Sequence, residues 1–302
     1  MSAILAFPPL AGMDYPELES LWHVIPDPQA IPALPLDQRQ QVRVLMTSAS
    51  RGCTAAMIDL LPNLGLVVSQ GVGLDKIDQG ALAARAIRLR PVGETQTEDV
   101  ADLAMALTHA LARNLMQADR FARSGWETGR FDLGDSLYGM TMGIAGLSGR
   151  IGQALAARAR ASGMEIAGLD RASNVGLGRL CPDWQALAAA SDVLVLAVPG
   201  SPDLRHVIDA SVLTALGPWG RLINVGRGSL VDTEALTRAL QSGTIKGAAL
   251  DVIDSEPHVP EALAALPNVI LTPHIGAQTW GQRARASAIA QTEVLAYLAA
   301  LP

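Results

Sequence analysis

The stretch MGIAGLSGRIGQALA (142–156) decides the fold. An apolar run enters Gly146, two more glycines follow at Gly149 and Gly152, and the pattern then turns helical. A strand that passes into a helix through glycines turns backbone N–H groups and a helix N-terminus toward one point, which suits a pyrophosphate. The spacing is G-x-x-G-x-x-G, one residue longer before Gly149 than the dinucleotide fingerprint, and an extended turn accounts for it. Gly71-Val72-Gly73 and Gly226-Arg227-Gly228 also follow strands but lack the third glycine. The 142–156 stretch is preferred because a second strand, MEIAGLD (164–170), follows it and ends in Asp170. An acid about 20 residues beyond the glycines is where a ribose 2′-OH binds. Asp170 can accept from that hydroxyl and repels a 2′-phosphate, which favours NAD. Its neighbour Arg171 suits either a 2′-phosphate, and so NADP, or stacking on adenine.

Working outward, apolar runs at 141–147, 164–170, 192–198, 220–225, 247–252 and 268–273 alternate with helical patterns, as in a doubly wound parallel sheet. An earlier α/β unit, with strands at 4–7, 42–48 and 64–70, ends near Thr97. Between the two units, Val100, Leu103, Ala104, Leu107, Leu111, Leu115 and Ala118 form one stripe, which predicts a single helix from Asp99 to about Ser124. A last amphipathic helix, from about Trp280 to Leu298, has no strand after it and is expected to return to the first unit.

With 49% hydrophobic and 17% charged residues among 302, the chain has globular rather than disordered composition. Its net charge of −6 and lack of any basic run exclude nucleic acid as a partner. Cys53 and Cys181 can build neither a disulfide framework nor a metal knuckle, so no metal is expected and a reducing cytoplasm fits. The opening MSAILAFPPLAG lacks a basic start and reads as a strand and turn rather than a leader. No apolar stretch reaches the roughly 18 residues of a membrane span.

Carbonyl reduction needs a proton donor poised near neutrality, usually His. Of five histidines, His23, His206 and His258 fall in or beside loops and His109 lies opposite the apolar stripe of its helix. His274 instead ends the strand NVILTP, and open α/β sheets bind ligands at strand carboxyl ends. Two other strand ends supply Arg227, in LINVGRGSLVD (222–232), and Asp251 with Glu256, in ALDVIDSEP (249–257). An Arg grips a carboxylate bidentately, and a Glu beside His orients the ring and favours its protonated form.

These residues lie in a pattern that resembles the D-isomer-specific 2-hydroxyacid dehydrogenases, with a likeness to their glyoxylate/hydroxypyruvate reductase branch. The likeness runs from LPNLGLVVSQGVGLDKID (61–78) and TEDVADLAMAL (97–107) through SLYGMTMGIAGLSGRIG (136–152) and SDVLVLAVPGSPD (191–203). It continues through LINVGRGSLVDTEALTRAL (222–240) and GAALDVIDSEPHVP (247–260) to NVILTPHIGAQT (268–279). The resemblance implies an α/β fold of two Rossmann-like, doubly wound parallel-sheet domains with an interdomain cleft. Residues 1–97 with 280–302 would form the substrate domain and 98–279 the dinucleotide domain.

It further implies that Arg227 binds the substrate carboxylate and carbonyl, that Glu256 pairs with His274 as the acid/base, and that Val72 and Gly73 offer backbone N–H groups to the carboxylate. Asp251 would hold the nicotinamide carboxamide, and Arg150 and Ile151 would face the pyrophosphate. Family members are typically homodimers. The chain departs from the family in its longer glycine turn, in Asp170, and in PVGETQT (91–97), where Pro-Gly is usual before Thr97. The expected reaction is NAD(P)-dependent reduction of a small 2-oxoacid to the D-2-hydroxyacid. A non-catalytic dinucleotide sensor or corepressor-like scaffold is the competing reading, and the intact Arg, Glu and His argue against it.

Overall fold

The computed structural model describes residues 3–9, 11–71, 73–127 and 129–301. The chain divides into two compact units, Met1–Gln96 with Gln278–Pro302, and Thr97–Ala277. In the first unit, strands β1 (Ile4–Ala6), β2 (Trp22–Val24), β3 (Val44–Ser48), β4 (Leu66–Gln70) and β5 (Arg88–Val92) form a parallel sheet in the order β2-β1-β3-β4-β5. Chain order reverses between β1 and β3, which makes that point the crevice of this sheet.

Both faces of the sheet are covered at its centre, so the inner strands β1, β3 and β4 are buried at every position rather than alternately. Ile4, Val44, Leu66 and Val68 pack with Ala286, Ala290 and Val294 of the helix Trp280–Ala299. Leu5, Leu45 and Val67 pack on the other side with Ile58, Leu61 and Leu82. Strands β2 and β5 escape a reading by hydrophobicity because they are the sheet edges. β5 carries Arg88, Arg90 and Pro91, residues that edge strands tolerate. Its two arginines pair with Glu293 of the last helix at 2.8 and 3.0 Å. Arg90 also holds Glu94 at 2.6 Å, and that hydrogen bond brings the Glu94 carboxyl down to about 2.

The second unit contains β6 (Thr141–Ala145), β7 (Glu165–Leu169), β8 (Arg179–Cys181), β9 (Val193–Leu196), β10 (Arg221–Asn224), β11 (Gly247–Leu250) and β12 (Val269–Leu271). All are parallel, in the order β12-β11-β10-β9-β6-β7-β8. Six strands were legible by periodicity. The seventh, β8, has three residues and owes its place to pairing with Ala167–Leu169. Order reverses between β6 and β9, beside the glycine turn that follows β6.

The helix expected from Asp99 to Ser124 is two helices, Thr97–Ala112 and Leu115–Ser124. Asn114 breaks it by adopting φ 51, a left-handed conformation that Asn accepts more readily than most residues. The break rotates the stripe, so Leu115 is 46% exposed and the second helix buries no residue fully. Among the described residues no helix is long and apolar enough to cross a membrane.

Asp135 ties the far edge of this unit together by receiving hydrogen bonds from Arg221, at the start of β10, and Lys246, just before β11. Burial opposes its ionisation, but Lys246 and Arg221 overcome that and hold its carboxyl below the usual range. The stabilisation is therefore complete above the unfolded carboxylate value of about 4 and is lost as pH falls through the lower folded value. Because Arg221 is buried to 3% of its side-chain surface, Asp135→Asn leaves a cation without its counter-charge. It is expected to cost on the order of 2 kcal/mol at pH 7, read as a lower Tm, and to remove that part of the acid sensitivity below about pH 4.

Candidate active site

Arg227, Glu256 and His274 all issue from the carboxyl edge of the second sheet, after β10, β11 and β12, which are consecutive neighbours. Adjacent strands lie about 4.8 Å apart, so three residues distant in sequence start from one short edge. Arg227 is half-buried, and its Nη1 donates to Gly226 O at 2.9 Å. Asn224 fixes the backbone on both sides of it, donating from Nδ2 to Arg227 O and accepting from Gly226 N.

The next residue has to be glycine: a Cβ on Gly228 would lie 2.0 Å from the carbonyl carbon of Ile253 and 2.2 Å from Asp254 N. The Arg227 loop thus abuts the loop that carries Glu256. Within that loop, Ile253 N donates to Glu256 Oε1 at 2.9 Å, leaving Oε2 to meet His274 Nδ1 at 3.0 Å. The pairing inferred from sequence therefore exists. With Nδ1 on a carboxylate, the ring is oriented by Glu256, and Nε2 is the other site at which an imidazole exchanges a proton.

His274 sits at φ 53, a left-handed conformation uncommon for its type. Asp251 holds it there. The His274 N–H donates to the Asp251 and Thr272 carbonyls. The Asp251 side chain, 3% exposed, accepts from Thr272 Oγ1 (2.6 Å), Ile275 N (2.8 Å) and Gly276 N (2.9 Å). Three of the roughly four acceptor positions of a carboxylate are thereby used, and one is left for an external donor such as a carboxamide. The family resemblance implied a carboxamide ligand for Asp251, and neither it nor the sequence pattern indicated this bracing of the His274 loop.

The glycine turn lies at the β6/β9 reversal. Gly146 has φ 92, and Gly149 N donates to Gly146 O at 2.9 Å, closing a turn around Leu147 and Ser148. This turn accommodates the extra residue. Ser148 is fixed by three contacts: its N–H to Asn174 Oδ1 (3.0 Å), its hydroxyl to Ser173 Oγ (2.9 Å), and its carbonyl to Gln153 Nε2 (2.8 Å). Asn174 is 3% exposed and returns its Nδ2 to Leu169 O. Neither Ser173 nor Asn174 was singled out by sequence, although both lie just beyond Asp170.

The helix Arg150–Ala161 starts at Gly149 with no side-chain cap, so the amides of Arg150, Ile151 and Gly152 point outward from its N-terminus. A Cβ on Gly152 would lie 2.1 Å from Gly146 O. The residues fit a pyrophosphate on both counts: a cradle too tight for any side chain, and uncapped amides. Asp170 and Arg171 are exposed at the end of β7. Of the other histidines, His206 meets Asp254 at 3.3 Å beside Arg205, a separate ion pair, and His109 is exposed. In the first unit Gly73 is buried, while Val72 lies outside the described residues.

The sequence profile of the D-isomer specific 2-hydroxyacid dehydrogenase NAD binding domain matches residues 105–276. The glyoxylate/hydroxypyruvate reductase A of Arabidopsis thaliana is 46% identical over 243 residues, 80% of this chain and 77% of that protein. A glyoxylate reductase of Thermococcus kodakarensis is 37% identical over 91% of this chain and 86% of its own length. The crystal structure of an NADPH-dependent glyoxylate/hydroxypyruvate reductase from Sinorhizobium meliloti, with NADP and malonate bound, superimposes with a TM-score of 0.87. It is 37% identical, covering 99% of this chain and 95% of that one.

Gly152→Ala forces apart backbone that has no room to move. It should weaken NADH binding, followed by fluorescence titration, by about tenfold or more and lower Tm by a few degrees. Unchanged affinity would show that the turn is not the cofactor cradle.

Proposed function

Because the chain belongs to the D-isomer specific 2-hydroxyacid dehydrogenase family, we propose that it reduces a small 2-oxoacid of the glyoxylate/hydroxypyruvate type to the D-2-hydroxyacid, using NAD in preference to NADP. The observation that carries this reading is the Glu256–His274 pair at 3.0 Å beside the Arg227 loop. A scaffold that only bound nucleotide would have no use for that arrangement.

When bound, the reduced nicotinamide supplies the hydride that reduces the carbonyl carbon. Arg227 binds the substrate carboxylate and polarises the carbonyl. Its positive charge acts most strongly as the oxygen becomes an alkoxide, so it stabilises the transition state more than the ground state. His274 delivers its Nε2 proton to that oxygen, and Glu256 fixes the ring through Nδ1. Val72 and Gly73 offer backbone N–H groups to the carboxylate. Gly146, Gly149, Arg150, Ile151 and Gly152 hold the pyrophosphate, and Asp251 takes the carboxamide at its remaining acceptor position.

Asp170 carries the cofactor preference, since an exposed carboxylate at the end of β7 accepts from a ribose hydroxyl and repels a phosphate. The relative from Sinorhizobium meliloti is NADPH-dependent, so this chain's preference rests on Asp170 against Arg171. The protein is proposed to work as a homodimer, on the support of Leu115, Met116, Trp126 and Leu133, which are 46–95% exposed within one short segment. Two free, buried cysteines suit a reducing compartment such as the cytoplasm.

The test is a panel of 2-oxoacids assayed with NADH and NADPH. Wild type should turn over glyoxylate and hydroxypyruvate, and Arg227→Ala should lower kcat/KM by at least about 100-fold, with both kcat and KM affected. Wild-type kcat/KM in that variant overturns the assignment. In the same panel NADH should exceed NADPH, and Asp170→Ala should narrow or reverse the gap by removing the repelling charge.

A further inference from the structure

The carboxylate just ahead of Glu256 in its loop has partners of its own within the second unit. Asp254 Oδ2 accepts from Arg205 Nη2 at 2.9 Å and lies 3.3 Å from His206 Nε2, while Oδ1 lies 3.4 Å from Arg205 Nη1. Arg205 thus grips both oxygens with its planar fork, which fixes a carboxylate in direction as well as in place. Burial opposes ionisation of Asp254, but the hydrogen bonds from Arg205 and His206 outweigh it and hold the carboxyl below its usual range.

The segment that supplies this grip follows β9, the neighbour of β10. His206 N donates to Ser229 O at 2.8 Å, Ile208 N to Leu230 O at 2.9 Å, and Asp232 N to Ile208 O at 3.0 Å. Residues 206–208 therefore run beside the continuation of the Arg227 loop, with Ile208 and Val231 paired in parallel. The segment holds the Arg227 loop through its backbone and the Glu256 loop through its side chains.

His206 and His274 both sit at φ 53, a left-handed conformation uncommon for their type. Each presents a ring nitrogen to one carboxylate of the same turn, His206 to Asp254 and His274 to Glu256. Such backbone outliers persist only where their surroundings over-determine them, and they gather at functional sites. The turn itself is closed: Ile253 N donates to Glu256 Oε1 at 2.9 Å, and Glu256 N donates to Ile253 O at 3.2 Å. Asp254 lies inside that closure, so a shift of Asp254 tilts the turn and swings Oε2 away from His274. The neighbouring acids have other tasks, Asp251 bracing the His274 loop and Asp232 capping the helix Thr233–Gln241 through Ala235 N. With the Arg205 side chain 56% exposed, the ion pair adds little to overall stability, and its consequence is geometric.

We propose that Arg205 and His206 are positioning residues for the reaction: by clamping Asp254 to the Arg227 loop, they aim Glu256 Oε2 at His274 Nδ1. This rests on the proposed acid/base role of His274 and deepens it, extending the machinery from three strand ends to four.

The experiment uses Arg205→Met, which keeps the stem and removes the fork, in protein carrying 15N-labelled histidine. The His274 Nδ1 proton shared with Glu256 gives a low-field NMR resonance, assigned by its loss in His274→Gln. In Arg205→Met that resonance should move upfield or broaden, and kcat for hydroxypyruvate should fall about fivefold with KM changed by less than about twofold. Arg205→Lys should recover part of both, with Tm close to wild type in each variant. A resonance and kcat unchanged in Arg205→Met overturn the proposal, as does a loss that only follows a lowered Tm. Combined with Asp254→Ala, Arg205→Met should cause no further loss, because the two act as a unit, and additive losses overturn the clamp. The resonance needs no turnover. A wild type inactive on 2-oxoacids fails the proposed function, and the His274 signal in Arg205→Met then still decides the clamp.

Discussion

A buried carboxylate holds the candidate site in shape. Asp251, at the end of β11, accepts from Thr272, Ile275 and Gly276, and its backbone carbonyl takes the His274 N–H. The loop after β12 is therefore fastened to the end of the neighbouring strand, and His274 stays in a left-handed conformation that an isolated loop would abandon. The Nδ1 contact with Glu256 depends on that fastening. Glu256 is in turn set by Ile253 N, in a loop that Gly228 lets the Arg227 segment approach. One series of backbone constraints thus runs across three adjacent strand ends.

The two sheets use the same topological device. Each has a point where chain order reverses, and there the flanking loops diverge and leave a crevice at the strand carboxyl ends. In the second sheet that point holds the glycine turn, with Gly152 pressed against Gly146 O. In the first it holds the cavity walled by Gln70 and Ser48. The first crevice is small, and the second presents the uncapped amides of a helix start.

The lengthened glycine turn shows how a departure from a motif is absorbed. Ser148 is fixed by Asn174, Ser173 and Gln153, so the added residue becomes part of a hydrogen-bonded turn and not a slack one. Two of the fixing groups come from the segment just after Asp170, which couples the glycine turn to the strand end that carries that acid. Their signal in the sequence is no more than a Ser-Asn pair in a polar loop, which turns of many kinds share.

The sequence by itself determined the α/β class, the strands of the second sheet other than β8, the glycine turn, and the residue types needed at three strand ends. Those features are carried by local periodicity and by glycine, whose constraints act within a few residues. Tertiary structure alone decided the rest. β8 exists because β7 offers it an edge, and β5 is a strand despite Arg88, Arg90 and Pro91 because it lies at the rim, where Glu293 meets both arginines. The break at Asn114 interrupts a stripe that reads as continuous, since periodicity does not record where a chain turns. Whether a buried polar atom finds a partner also depends on groups distant in sequence. That is why the bond from Gln70 Nε2, at the end of LGLVVSQ, to the Tyr15 hydroxyl 55 residues earlier is visible only in the fold.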